Sequence, residues 1–108
     1  MDAFSVTRRR AGDAVVVSPR GEIDLATVDE LGAALAQAAQ ESGHVVLDLR
    51  AVAFMDSAGV RLVLTTSRAL DERGGALTVV QGPHEVRRVF ELVGLTERLT
   101  IVDAPPDA

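Results

Sequence analysis

Residues 44–60 read His44-Val-Val-Leu-Asp-Leu-Arg-Ala-Val-Ala-Phe-Met-Asp-Ser-Ala-Gly-Val60, and this stretch decides the fold class. His44 to Leu49 is a β-branched run with little polar alternation, the pattern of a strand buried on both faces. Ala51 to Met55 reads as a short apolar loop. Asp56 and Ser57 then precede Val60, Val63, Leu64, Ser67 and Leu70, whose spacing marks one face of a helix. Gly74-Gly75 stops that helix. A buried strand that passes through a short loop into an amphipathic helix is the building unit of a parallel α/β sheet.

The flanking segments extend the same pattern. Upstream, Phe4 to Arg9 alternates weakly, Ala11-Gly12-Asp13 offers a turn, and Ala14 to Ser18 follows, which predicts a hairpin. Pro19-Arg20-Gly21 is expected to break its second strand. From Thr27 the period lengthens: Val28, Leu31, Leu35 and Ala38 or Ala39 share a helical face. Thr27 with Glu30 suggests a capping box, and Ser42-Gly43 ends the helix. Downstream, Ala76 to Val80 is another buried-type strand. Pro83 opens a third helix with Val86, Val89, Phe90 and Val93 on its apolar face. Gly94 caps it, Leu99 to Val102 forms a last strand, and residues 104–108 are expected to fray.

The order β-β-α-β-α-β-α-β predicts one α/β domain over residues 1–108. Its central sheet is mixed, with an N-terminal hairpin and crossover helices. Ligands and partners of such sheets meet the loops at the carboxyl ends of the strands. Two loops there carry polar residues in apolar company, Gly21-Glu22-Ile23-Asp24 and Met55-Asp56-Ser57-Ala58-Gly59.

Composition narrows the chemistry. The chain has 108 residues, enough for a core without staples, and 47% are hydrophobic against 25% charged. With no cysteine, disulfides, thiolate metal sites and cysteine nucleophiles are excluded. All 11 basic residues are arginine, so lysine-dependent phosphate loops and Schiff bases are excluded too. The net charge of −5 argues against nucleic acid. Two separated histidines offer no metal site and therefore no metal cofactor is expected. No segment approaches the roughly 20 apolar residues of a membrane span, and no targeting segment is visible. The expectation is a cytoplasmic monomer without a cofactor.

Ser57 is the residue of interest. At a helix start several backbone N–H groups lack helical partners, and the dipole makes that end electropositive. A phosphate on Ser57 would find donors there without a cationic side chain. Gly59 would let another protein approach closely. Leu62, two positions from both Val60 and Leu64, cannot point straight into the core and suggests a docking patch beside Ser57. The plainer reading is that Asp56 or Ser57 caps the helix, and a capping serine can also be a modified one.

The run Val45 to Val60 resembles the core of the STAS domain, the fold of bacterial anti-sigma factor antagonists. Gly21-Glu-Ile-Asp24 is similar to that family's acidic turn. Phe90-Glu-Leu-Val-Gly-Leu95 with Leu99-Thr-Ile101 is similar to its C-terminal helix and last strand. The resemblance covers nearly the whole chain. It implies a regulator that is not an enzyme, binding an anti-sigma factor serine kinase and so releasing a sigma factor. It implies Ser57 as the phosphoacceptor, with Asp56 and Asp24 on the docking surface, and a phosphatase that reverses the modification; Ala58, Gly59 and Leu62 complete the expected surface. Where the family commonly has serine or threonine, this chain has Ala58, so the motif holds one hydroxyl.

Other readings fit less well. A response-regulator receiver needs a lysine. A serine hydrolase needs a glycine where Met55 stands, and a base from His44 or His84. The runner-up is a STAS scaffold or regulatory subunit of a stress-signalling or transport complex, without a phospho-switch.

Overall fold

The computed structural model describes residues 3–95 and 98–107. Among these residues six strands and three helices follow one another: β1 (Ser5–Ala11), β2 (Ala14–Ile23), α1 (Val28–Glu41), β3 (His44–Asp48), β4 (Val52–Met55), α2 (Ser57–Glu72), β5 (Ala76–Val80), α3 (His84–Leu92) and β6 (Thr100–Val102). The sheet order is β1-β2-β3-β5-β6, with β4 paired to β2 alone. β1 is antiparallel to β2, and the other pairings are parallel. This is the mixed α/β sheet that the periodicities predict, with one strand more.

Two elements differ from expectation, and one cause explains both. Pro19-Arg20-Gly21 does not end β2. The strand pairs with β3 through Val15, Val16 and Val17, then with β4 from Gly21 to Ile23. Pro19 lies in the gap between the two parallel ladders, where its missing N–H forfeits no bond on that side. Gly21 carries the strand onward at a φ of 103°, a left-handed conformation natural to glycine. The segment Ala51 to Met55 is no loop, because the free half of β2 gives Val52–Met55 a partner.

The strands of β2, β3 and β5 alternate strictly between two faces. Val15, Val17, Val45, Leu47, Leu77 and Val79 join residues from all three helices in the main core. Leu31, Leu35 and Ala38 anchor α1, Val60, Val63 and Leu70 anchor α2, and Val86 and Phe90 anchor α3. Val93, placed on the apolar face by spacing, is half exposed, because α3 ends at Leu92 and leaves it at the cap. The second face holds a smaller cluster of Ala14, Val16, Val46 and Val80. In the C-terminal segment expected to fray, Pro105 is buried and the Asp107 carboxylate accepts bonds from Arg9 at 2.7 and 2.9 Å.

Candidate functional site

Two chain reversals meet at the carboxyl end of the sheet. Ile23 and Met55 are register partners, and the Asp56 amide donates to the Ile23 carbonyl at 3.1 Å. The residues that follow, Asp24 and Asp56, are therefore neighbours. The β2–β4 pairing brings them together.

Asp24 is half-buried and organises the turn into α1. Its Oδ1 accepts from the Ala26 amide at 2.9 Å, and its carbonyl accepts from the Val28 amide at 2.9 Å. Thr27 does not form the expected capping box. Its hydroxyl donates to the Glu22 carbonyl at 2.8 Å and accepts from the Asp24 amide at 3.0 Å. With near-helical dihedrals, φ −116° and ψ −15°, Thr27 turns its side chain back into the acidic turn.

Asp56 is the N-cap of α2, with its carboxylate accepting from the Ala58 amide at 2.9 Å. The Gly59 and Val60 amides both donate to the Asp56 carbonyl. Fewer donors are therefore open at this helix start than sequence suggests, because Asp56 occupies them. Ser57, the first residue of the helix, is exposed, and its hydroxyl enters no hydrogen bond among the described residues. An accessible alcohol thus sits beside a fixed carboxylate, at an end where the dipole favours negative charge.

Of the expected docking surface, Gly59 belongs to the interior and Leu62 leans on it. Gly59 is buried: a Cβ there would lie 2.8 Å from Met55 Sδ and 2.9 Å from Ile23 Cγ2. Its lack of a side chain admits β4 and β2, not another protein. Leu62 is half-buried and packs on the core. A Cβ on Gly32 would sit 3.5 Å from Leu62 Cδ1, so this leucine closes the α1–α2 contact. Ala58 is half-buried beside Ser57.

The exposed apolar residues at this end are others. Leu25 is 82% exposed and Phe54 45%. Phe54 owes its position to a bulge. The register steps from Gly21↔Val52 to Glu22↔Phe54, which leaves Ala53 as the extra residue. Strict alternation from buried Val52 would turn Phe54 inward and Met55 outward; the bulge reverses both. No periodicity in the sequence carries that signal. Leu25 had one, since it lies off the helical face begun by Val28.

Among the described charged groups, Asp48 is the buried one, and it accepts from Arg50 Nε at 3.0 Å and Nη2 at 2.9 Å. Burial pushes its carboxyl up, but the Arg50 hydrogen bonds outweigh that and hold it below the usual carboxylate range. No group of three acidic or histidine side chains among the described residues could hold a metal ion. His44 Nε2 lies 3.0 Å from Thr78 Oγ1 at the amino end of β3, the end opposite Ser57. His84 is exposed at the start of α3, and neither histidine bonds to Ser57 among the described residues. A cavity of about 210 Å³ lies between α3 and the β5–β6 edge, lined by Val79, Gln81, Arg87, Phe90, Glu91 and Ile101, and includes none of these site residues. No helix among the described residues is long and apolar enough to cross a membrane.

A family model described as the STAS domain matches residues 5–108. An anti-sigma F factor antagonist of Paenibacillus polymyxa is 30% identical over 91 residues, 82% of this chain and 78% of that protein. Among solved structures, an anti-sigma factor antagonist from Mycobacterium paratuberculosis superposes with a TM-score of 0.87 at 28% identity, covering 97% of this chain and 90% of that one. The Bacillus cell fate determinant SpoIIAA, solved in its phosphorylated form, superposes with a TM-score of 0.72 at 27% identity, covering 96% and 93%.

Proposed function

The chain belongs to the STAS domain family, and from that premise we propose that it is an anti-sigma factor antagonist switched by phosphorylation of Ser57. It binds an anti-sigma factor serine kinase and thereby frees a sigma factor. The kinase then transfers a phosphoryl group from ATP to Ser57 Oγ, ADP leaves, and the complex dissociates. A phosphatase restores the binding form. The chain is the substrate in this cycle and catalyses none of it, and the cycle runs in the bacterial cytoplasm on a monomer.

One observation carries the reading: Ser57 presents an unengaged hydroxyl at a helix start, between the Asp56 and Asp24 turns. The curated relative named as an anti-sigma factor antagonist and the solved antagonists support it. In this reading Asp24, Asp56, Ser57 and Ala58 form the polar centre of the docking surface, and Leu25 and Phe54 are its apolar anchors. Exposed aromatic and aliphatic side chains beside a polar centre supply the desolvated area that a specific interface needs.

The switch is electrostatic. Phosphorylation adds about −1.5 to −2 charges at neutral pH. Asp56 and Asp24 already place two carboxylates at this end, each fixed by a backbone amide. A docked partner would have to desolvate a dianion among like charges. An interfacial penalty of about 3 kcal/mol lowers affinity roughly a hundredfold.

The test is labelling with ATP and the cognate anti-sigma kinase. Wild type gains one phosphate. Ser57→Ala gains none yet still binds the kinase, and Phe54→Ser binds more weakly while unfolding like wild type. Labelling of Ser57→Ala equal to wild type would overturn the site. Binding without labelling of either protein would replace the switch with a scaffold that works unmodified.

A further inference from the structure

Among the described residues the second face of the sheet carries no helix, yet Val16, Val46 and Val80 are all 0% exposed. Ala11 and Val102 pack against them, and the chain runs on from Val102 into a segment held at two points. At the near end Gln81 Nε2 donates to Asp103 Oδ1. At the far end Arg9 Nε and Nη2 donate to the two Asp107 carboxylate oxygens at 2.9 and 2.7 Å. Pro105, midway, is buried.

The direction of travel follows from the topology. β6 lies at one edge of the sheet and β1 at the other, four strand spacings apart, or about 19 Å. The five residues from Val102 to Asp107 reach at most about 17 Å. The Arg9 side chain extends inward to meet them. Arg9 pairs with Val16 across the β1–β2 ladder and shares its face. Its neighbour Arg8 points to the helical side and bonds Glu41 of α1 at 2.5 Å. The segment therefore crosses the second face, over the valine row, with Asp48 and Arg50 beside its far end.

We propose that residues 103–107 are a strap over the second sheet face that opens as a unit under the control of the Arg9–Asp107 latch while the sheet stays folded. The strap rests on a few side chains and a two-bond ion pair in which Arg9 is 42% and Asp107 39% exposed, whereas the helical face is held by three helices. Segments of low contact density open at lower cost than the fold as a whole. Closed, the strap shields a row of valines that would otherwise associate with other chains. Recognition is then left to the end that bears Ser57. Opened, it adds an apolar surface on the opposite side of the sheet from the helices. The inference does not depend on the partner assigned to Ser57.

The experiment uses the full chain and four variants: Arg9→Asp, Asp107→Arg, the double exchange of both, and Pro105→Asp. Endoproteinase Asp-N under native conditions, followed by mass spectrometry, reads cleavage before Asp103, and circular dichroism with urea reads the fold. An exposed ion pair changes such an opening equilibrium by about two- to fivefold. Each single reversal is expected to speed strap cleavage by at least that factor, and the double exchange to restore the wild-type rate. Pro105→Asp is expected to raise the fluorescence of an anilinonaphthalene sulfonate probe while keeping one cooperative urea transition. Unchanged cleavage in the single reversals, or failure of the exchange to restore it, would overturn the latch. Cleavage that tracks global unfolding in every variant, or loss of the cooperative transition in Pro105→Asp, would overturn independent opening and make the strap part of the fold.

Discussion

Replacing Gly59 by alanine adds one methyl group to a site without room for it. The new Cβ would lie 2.8 Å from Met55 Sδ and 2.9 Å from Ile23 Cγ2, with Met55 Cγ also in the way. Met55 is 2% exposed and Ile23 0%, so neither side chain can swing into solvent. Overpacking of this kind costs about 1–3 kcal/mol. Replacing glycine by alanine in a helix returns at most about 1 kcal/mol. The expected net loss is about 1–2 kcal/mol, a fall in Tm of roughly 5–10 °C for a chain of this size. Gly32→Ala is the internal control. Its Cβ would meet Leu62 Cδ1 at 3.5 Å, an ordinary contact, so only the helix gain remains. That variant should be more stable by about 0.5–1 kcal/mol. The chain has no Trp or Tyr, so far-UV circular dichroism with urea or heat is the suitable assay. Opposite signs at the two glycines are the expected result. A Gly59→Ala protein as stable as wild type would refute the packing account and return Gly59 to the docking surface. The same substitution should slow Ser57 labelling, because the displaced Met55 adjoins the start of α2.

Two further outcomes follow from charge. Ser57→Asp should bind the anti-sigma kinase more weakly than Ser57→Asn, which has nearly the same shape without the charge; equal affinities in a calorimetric titration would make the switch steric. Arg50 holds the buried Asp48 carboxyl below its unfolded value of about 3.9, so that group adds stability above about pH 4 that is lost as pH falls through its lower folded value. In Arg50→Ala the side-chain bonds are lost while the residue-50 amide bond and the Arg9 charge remain against burial, so the Asp48 contribution shrinks: the variant loses stability at neutral pH and the loss fades in acid. Urea midpoints taken between about pH 3 and pH 7 should therefore converge in acid, and parallel curves would sink the assignment.

The elements that could be read from sequence are those set by local periodicity. Val45, Val46 and Leu47 are buried however the neighbouring strands are arranged, and Leu31, Leu35 and Ala38 fall on one helical face by spacing alone. The position of Ser57 at a helix start was equally local, since Asp56 caps through an amide two residues away. Two local details, the Thr27 cap and the end of α3 before Val93, were misread as well, but the larger differences depended on partners distant in sequence. Val52–Met55 is a strand because the far half of β2 is unpaired, and β2 runs through Pro19 because its two ladders leave a gap there. Phe54 faces outward because of a single bulged residue. Gly59 is interior and Leu62 half-buried because β4 and α1 lie against α2. The strap is the most distant case, joining residues 98 positions apart by two hydrogen bonds. A hydrophobic pattern records which side of an element is buried and is silent on what lies against it, and that choice is made only when the strands have paired.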